Sequence, residues 1–220
     1  MKNIMFNDYY SLTQAVIDEI KDLTRRAVLQ KHIDAYDAYE EYCDTVCFRD
    51  CGAVRQYTSL ESFLIGEGLN RYKVGEIVAV AQNYKDLIER GDCTELNDYI
   101  RDEHQAVYDA LGYEGNIDIE EQAAWRNKMF VKSELMPQQI KILSVRVEKL
   151  QDISDEDILR EGIVQIHELD SFYFECKERD EGFYFDTPKE AFASLIDKVG
   201  KKGDWEKNPY VWRYEFELIK

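Results

Sequence analysis

Residues 210–218 place Tyr210, Trp212, Tyr214, Phe216 and Leu218 at every second position, with Arg213, Glu215 and Glu217 between them. A period of two is the side-chain period of a strand. The segment therefore predicts a closing strand with an aromatic-rich face and a charged face. Within Ile140–Lys149 the same alternation sets Leu143, Val145 and Val147 against Ser144, Arg146 and Glu148, and predicts a second half-buried strand. Tyr72–Ala81 reads as a turn feeding a buried strand. Ser171–Cys176 and Gly182–Phe185 read as short strands around a charged turn.

Helix signals stand between these strands. Ser11 with Gln14 three residues later has the form of a capping box, and Leu12, Val16 and Ile20 follow at helical spacing, predicting a helix that ends near Lys21. Ser154 and Asp157 repeat the pattern, with Ile153 and Ile158 as a hydrophobic staple and Gly162 as the stop. Thr187-Pro188 opens a further helix with apolar face Ala191, Phe192, Leu195, Ile196 and Val199, closed by Gly200. Gln30–Phe48 and residues 83–112 read as charged helices. Short strands separated by short capped helices predict an α+β fold. The expected form is a small mixed β-barrel in a single domain over 1–220, with helical insertions at about 27–70 and 83–120.

Charge narrows the function classes. The 220 residues hold 45 acidic and 28 basic side chains, for a net charge of -17. Such a chain repels bulk nucleic acid and anionic membrane, so non-specific duplex DNA binding is not expected and any nucleic-acid contact needs a local basic patch. No apolar run approaches the roughly 20 residues of a membrane helix. The N-terminus lacks a signal-like apolar stretch, so the expected location is cytoplasmic. The five cysteines are expected as free thiols. Cys43, Cys47 and Cys51 recur every four residues. Three thiolates with a fourth ligand would suit zinc, but paired short spacings are missing and a semi-buried thiol face fits better. Asp152, Asp155 and Asp157 lack the glycine of a calcium loop. Gly200-Lys201-Lys202-Gly203 lacks the spacing of a phosphate loop. No metal or cofactor is expected.

Several segments, taken in order, resemble one family. They are Phe6-Asn7-Asp8 with Leu12–Val16 and Lys21–Arg26; Tyr72–Glu76; Trp125–Phe130 with Met136-Pro137; Leu150–Asp157 through Glu161-Gly162-Ile163; and Trp205–Trp212. Together they resemble ASCH-domain proteins of the PUA-like superfamily, the phage and prophage branch in particular, over residues 4–26, 71–84 and 124–220. The resemblance implies a PUA-like barrel of a kind associated with RNA binding. It also implies a link to a small branch that hydrolyses the acetyl group of N4-acetylcytidine. That branch uses a lysine, a threonine three residues later and a glutamate, which match Lys21, Thr24 and Glu161 here. The two insertions, and Arg25 in place of a smaller residue, depart from that branch.

The chemistry of these types is coherent. A threonine hydroxyl is a weak nucleophile and needs a base. A lysine serves if burial or neighbouring cations, here Arg25 and Arg26, lower its pKa. A carboxylate then positions substrate or shuttles a proton. The same residues read equally as a basic cap on a helix C-terminus, with Glu161 solvated. Trp125, Asn127, Lys128, Trp205 and Asn208, with Arg25 and Arg26, complete the candidate ligand-binding set. A tryptophan face can stack on a base. Trp205, flanked by Lys198, Lys201 and Lys202, is expected to be exposed, and Trp212 to sit in the core. The expected partner is a nucleotide, a modified nucleoside or single-stranded RNA. The alternatives are an amidohydrolase and an acidic phage-encoded protein-interaction module. Lys21, Thr24 and Glu161 should then face one cleft. The insertions should pack through Ile33, Tyr36, Leu87 and Ile100 and restrict that cleft's entrance.

Overall fold

A computed structural model describes residues 1–46, 56–89, 102, 105–106, 123–176 and 183–219. In chain order its elements are β1 (Lys2–Ile4), α1 (Leu12–Ile17), β2 (Leu23–Ala27), α2 (Gln30–Val46), α3 (Leu60–Gly66), β3 (Ile77–Val80), α4 (Tyr84–Glu89) and α5 (Ala123–Arg126). They continue with β4 (Gln139–Lys149), α6 (Asp155–Arg160), β5 (Val164–Ile166), β6 (Ser171–Phe174), β7 (Phe183–Phe185), α7 (Pro188–Val199) and β8 (Tyr210–Ile219).

The aromatic alternation of β8 builds the centre. The strand pairs antiparallel with β4 on one side and β2 on the other. Trp212, Tyr214 and Phe216 are buried. The sheet runs β1-β3-β4-β8-β2, with β1 parallel to β3, and a separate three-stranded sheet runs β5-β6-β7. The α+β class is as expected; the closed barrel is not. Among the described residues no ladder joins the edges β1 and β2, and β5–β7 pair only with one another. The three-residue β1 offers little edge for closure, and the aromatic strands β6 and β7 form a separate sheet with β5 instead of extending the first.

Two sequence-level expectations are corrected by backbone geometry. Leu143 does not share a face with Val145 and Val147, because β4 shifts register between Ile142 and Ser144. The extra residue of this bulge leaves Leu143 exposed, while Ile140 and Ile142 are buried ahead of it and Val145 and Val147 pack on the core after it. Ser11 does not cap α1: its φ of 51° is left-handed and its side chain accepts no cap hydrogen bond. The helix stops at Ile17, short of Lys21. The other two caps form as expected. Ser154 accepts from the Asp157 amide and Thr187 from the Glu190 amide, with Pro188 opening α7.

The first insertion docks by rings. Tyr36, Tyr39 and Tyr57 pack around Phe63 at centroid distances of 5.4–5.5 Å, and Ile33 and Tyr36 reach the main core. Glu61 accepts from the Val147 amide at 3.1 Å and ties α3 to β4. Leu87 is fully buried in a second cluster with Tyr84 and Leu135, whereas Ile100 lies outside the described residues. Among the described residues no helix is long and apolar enough to cross a membrane. Leu64 is fully buried in the main core. Leu64→Ala should therefore lower unfolding free energy by about 2–5 kcal/mol in a denaturant titration, as large-to-small changes in packed cores do. A loss below about 0.5 kcal/mol, the scale of a surface change, would mean that this insertion does not share the core.

Candidate functional site

Lys21 reaches its position through a tight reversal. Glu19 takes a φ of 60°, and the Ile20 and Lys21 amides both donate to the Ala15 carbonyl at 2.9 Å. Lys21, Thr24 and Arg25 therefore precede and occupy the strand β2 rather than cap a helix, and its pairing with β8 sets Thr24 opposite Tyr214. Glu161 sits at the other wall, at the C-terminus of α6. Gly162 follows at φ 100°, a conformation that favours glycine. The turn packs against α1 and Lys21: a Cβ there would lie in ordinary contact, 3.4 Å from Leu12 Cδ2 and 3.8 Å from Lys21 Cδ.

These elements bring Lys21, Thr24 and Glu161 into one cleft of about 80 Å³. Lys21 Nζ donates to Glu161 Oε2 at 2.5 Å and to the Glu161 carbonyl at 2.8 Å. Arg25 Nη1 donates to the other carboxylate oxygen, Oε1, at 3.1 Å. The remaining nitrogens of Arg25 hold Glu148 Oε1 at 2.7 Å and Asp157 Oδ2 at 2.8 Å. Arg213 grips Asp157 with two hydrogen bonds of 2.9 and 3.1 Å. Arg160 joins Asp22 to Glu215. Lys21, Thr24, Arg25 and Glu161 are all buried.

Burial lowers the Lys21 pKa below its ordinary 10.5. The charge and hydrogen bond of Glu161 push back, while Arg26 and Arg25 depress it further. Burial likewise raises Asp157, but the hydrogen bonds and charges of Arg213 and Arg25 outweigh it and hold the carboxyl below its usual 3.8. The cleft thus offers a hydroxyl beside a lysine with weakened proton affinity and a carboxylate already engaged by two cations. Phe6 forms part of its wall, with Lys21 and Arg26 over its ring at 5.9 and 5.7 Å. Phe192, Leu195, Ile196 and Val199 of α7 supply the apolar side.

Among the described residues, none of 27–70 or 83–120 lines this cleft, and α7 supplies that wall; residues 47–55 and most of 90–120 lie outside the described residues. The first insertion instead walls a neighbouring cavity of about 280 Å³ through Leu29, His32 and Leu69. The two spaces share Met5 and Arg26.

The other sequence candidates have structural partners. Lys128 donates to the Phe6 carbonyl and pairs with Asp8 at 2.9 Å, clamping the 6–13 turn. Asn127 caps a 3-10 turn by accepting from the Met129 amide. Trp125 packs half-buried on the second core cluster. Trp205 is half-buried rather than exposed, edge-on to Phe192 at 6.0 Å, because its amide is drawn in by Asp197 and its carbonyl by Gln151. Asn208, at φ 44°, accepts from the Gln151 amide. Asp197 and Asp204 sit among Lys198, Lys201 and Lys202 and dilute the expected basic patch. Cys43 is a buried free thiol; Cys47 and Cys51 lie outside the described residues. Among the described residues no three His, Cys, Asp or Glu side chains group as metal ligands. Glu148, Asp157 and Arg213 were missed as site residues. The signal for two of them lay on the polar faces of the two long strands, where Glu148 and Arg213 alternate with apolar neighbours.

Glu161→Gln leaves Lys21 and Arg25 without their shared counter-charge, and should destabilise the fold by about 3–5 kcal/mol. Adding Lys21→Met should recover part of that loss; no recovery would place the cost elsewhere. The Asp157 carboxyl, lowered in the folded state, contributes stability that is complete above its unfolded value of 3.8 and is lost as pH falls through the folded one. Asp157→Asn should melt below the parent at pH 7, and the difference should close in acid. A difference constant down the acid limb would contradict this linkage. In comparisons with known proteins, no family model, no curated protein and no solved structure matches the chain.

Proposed function

We propose that the Lys21–Thr24–Glu161 cleft binds the base end of a nucleoside or nucleotide, in an ASCH-type domain of the PUA-like superfamily. The observation that supports this is the meeting, in one small cleft, of residues that stand 140 positions apart in sequence. They are the positions the ASCH resemblance singles out. Directional polar groups beside an apolar wall suit a heterocycle with exocyclic donors and acceptors. A space of about 80 Å³ takes part of one base and excludes a duplex.

A second reading, amide hydrolysis of an acylated cytidine, has a specific observation in its favour: Thr24 shares the cleft with a lysine of lowered pKa. In this reading the Thr24 hydroxyl adds to the acyl carbon and its proton passes to neutral Lys21. The exocyclic amine then leaves with a proton, and water cleaves the acyl-threonine ester. The close ion pair with Glu161 favours the charged lysine and counts against it, so binding is the leading reading.

Incubation of the purified protein with N4-acetylcytidine, with acetate followed by NMR, separates the two. Turnover that disappears in Thr24→Ala establishes hydrolysis. Saturable nucleoside binding without turnover, weakened by Thr24→Ala, establishes a binder. Neither turnover nor binding across a panel of nucleosides overturns both.

A further inference from the structure

The larger cavity beside the cleft carries a charge pattern at odds with the rest of the molecule. In a chain of net charge -17, its wall includes Arg26, Arg71 and His32. Among the described residues neither Arg26 nor Arg71 forms an ion pair with a carboxylate. Arg26 donates to the Met5 carbonyl, and Arg71 lies over the Tyr72 ring at 5.4 Å. Both arginines are exposed. Arg26 is open to the cavity yet crowded by protein, and that crowding together with nearby Arg71 lowers its pKa while Tyr72 and Glu161 oppose the shift. A guanidinium stays charged at neutral pH even so. The buried Nδ1 of His32 has no hydrogen-bond partner. The floor is apolar: Met5, Leu29 and Trp212 line it, and Leu29 is left 56% exposed at the opening.

Two like charges near one another with no carboxylate in direct contact favour an anion that joins them. Guanidinium forks match phosphate oxygens. An apolar floor beneath such a rim fits a flat, weakly polar body that carries one anionic group. We infer that this cavity is a phosphate-binding subsite, and that the chain's ligand is a nucleoside 5′-monophosphate. Arg26 and Arg71 hold the phosphate, and the sugar lies toward Met5. The inference rests on the nucleoside reading of the neighbouring cleft, with which the cavity shares Met5 and Arg26. The volume of about 280 Å³ lies just below the usual span of ligand pockets, roughly 300 to 1,000 Å³. That size favours a mononucleotide over a strand. The subsite is built by the first insertion, through Leu29, His32 and Leu69, which gives that segment a role in selecting ligand.

Calorimetric titration of the purified full chain with the four ribonucleosides and their 5′-monophosphates tests this. At least one monophosphate should bind about tenfold or more tighter than its nucleoside, the scale of a charge-assisted hydrogen bond. Arg71→Gln, at an exposed position without an ion pair, should erase that difference with an unchanged melting temperature. Leu29→Trp, which fills the opening from an exposed position, should weaken monophosphate binding independently. Equal affinity for nucleoside and monophosphate overturns the subsite and leaves the cleft reading standing. A phosphate gain that survives Arg71→Gln overturns the assignment of the arginines. A gain abolished by Arg71→Gln, with nucleoside affinity indifferent to Thr24→Ala, keeps the subsite and removes the base from the cleft. No binding of either form overturns both. The salt dependence distinguishes the source of the phosphate: one phosphate gives a log–log slope of about -0.7 or shallower. A short oligoribonucleotide that binds more tightly than any mononucleotide, with a slope several times steeper, overturns the mononucleotide assignment.

Discussion

One buried carboxylate holds two distant parts of the chain together. Glu161 accepts from Lys21 with one oxygen and from Arg25 with the other, and both cations are almost wholly out of water. Charges so placed cannot be left single, because the cost of desolvating an ion is met only by a well-oriented partner. The end of α6 is thus drawn onto the turn before β2, and α1 and α6 meet at Gly162. The rest of the polar cluster follows outward from that contact. Arg25 fixes Asp157 and Glu148, Arg213 completes Asp157, and Arg160 bridges Asp22 to Glu215.

Parts of this were legible in the sequence because they are local. Alternation over 210–218 is a statement about neighbours two apart, and β8 sorts its aromatic and charged residues onto opposite faces as announced, with Arg213 and Glu215 drawn into ion pairs. The caps at Ser154 and Thr187 depend on an amide three residues away, and both form. Where a local signal met a competing interaction it lost. Ser11 has the residue pattern of a cap, but Asn7 accepts from the Tyr9 and Tyr10 amides and shapes the turn first. The bulge at Leu143 depends on where β4 meets β8, which no single-strand pattern records. Openness or closure of the sheet is likewise a property of two edges, neither of which carries a mark of it.

The site divides in the same way. Lys21, Thr24 and Glu161 were singled out from a resemblance, and the structure gathers them into one cleft. The aromatic and amide candidates Trp125, Asn127, Trp205 and Asn208 are the residues a ligand-binding loop would use, yet here they cap turns and fill a core. A tryptophan between charged residues looks exposed in sequence; Phe192 lies one helix away in space. The cavity formed by the first insertion had no sequence signal, since Arg26, His32 and Arg71 converge only after α2 and α3 have folded back on β8.

The pairing of β2 with β8 places residue 23 opposite residue 215. This pairing closes the longest loop of any strand ladder in the fold and gains little until the segments between have ordered. Helices α6 and α7 and the β4–β8 ladder can form from shorter stretches. The strand that carries Thr24 and Arg25 cannot, so contact order predicts that the cleft assembles late. On that order its arginines and the acidic residues of α6 stay hydrated and apart until β2 docks. A charge network completed late is expected to add little to the speed of folding and much to the barrier against unfolding.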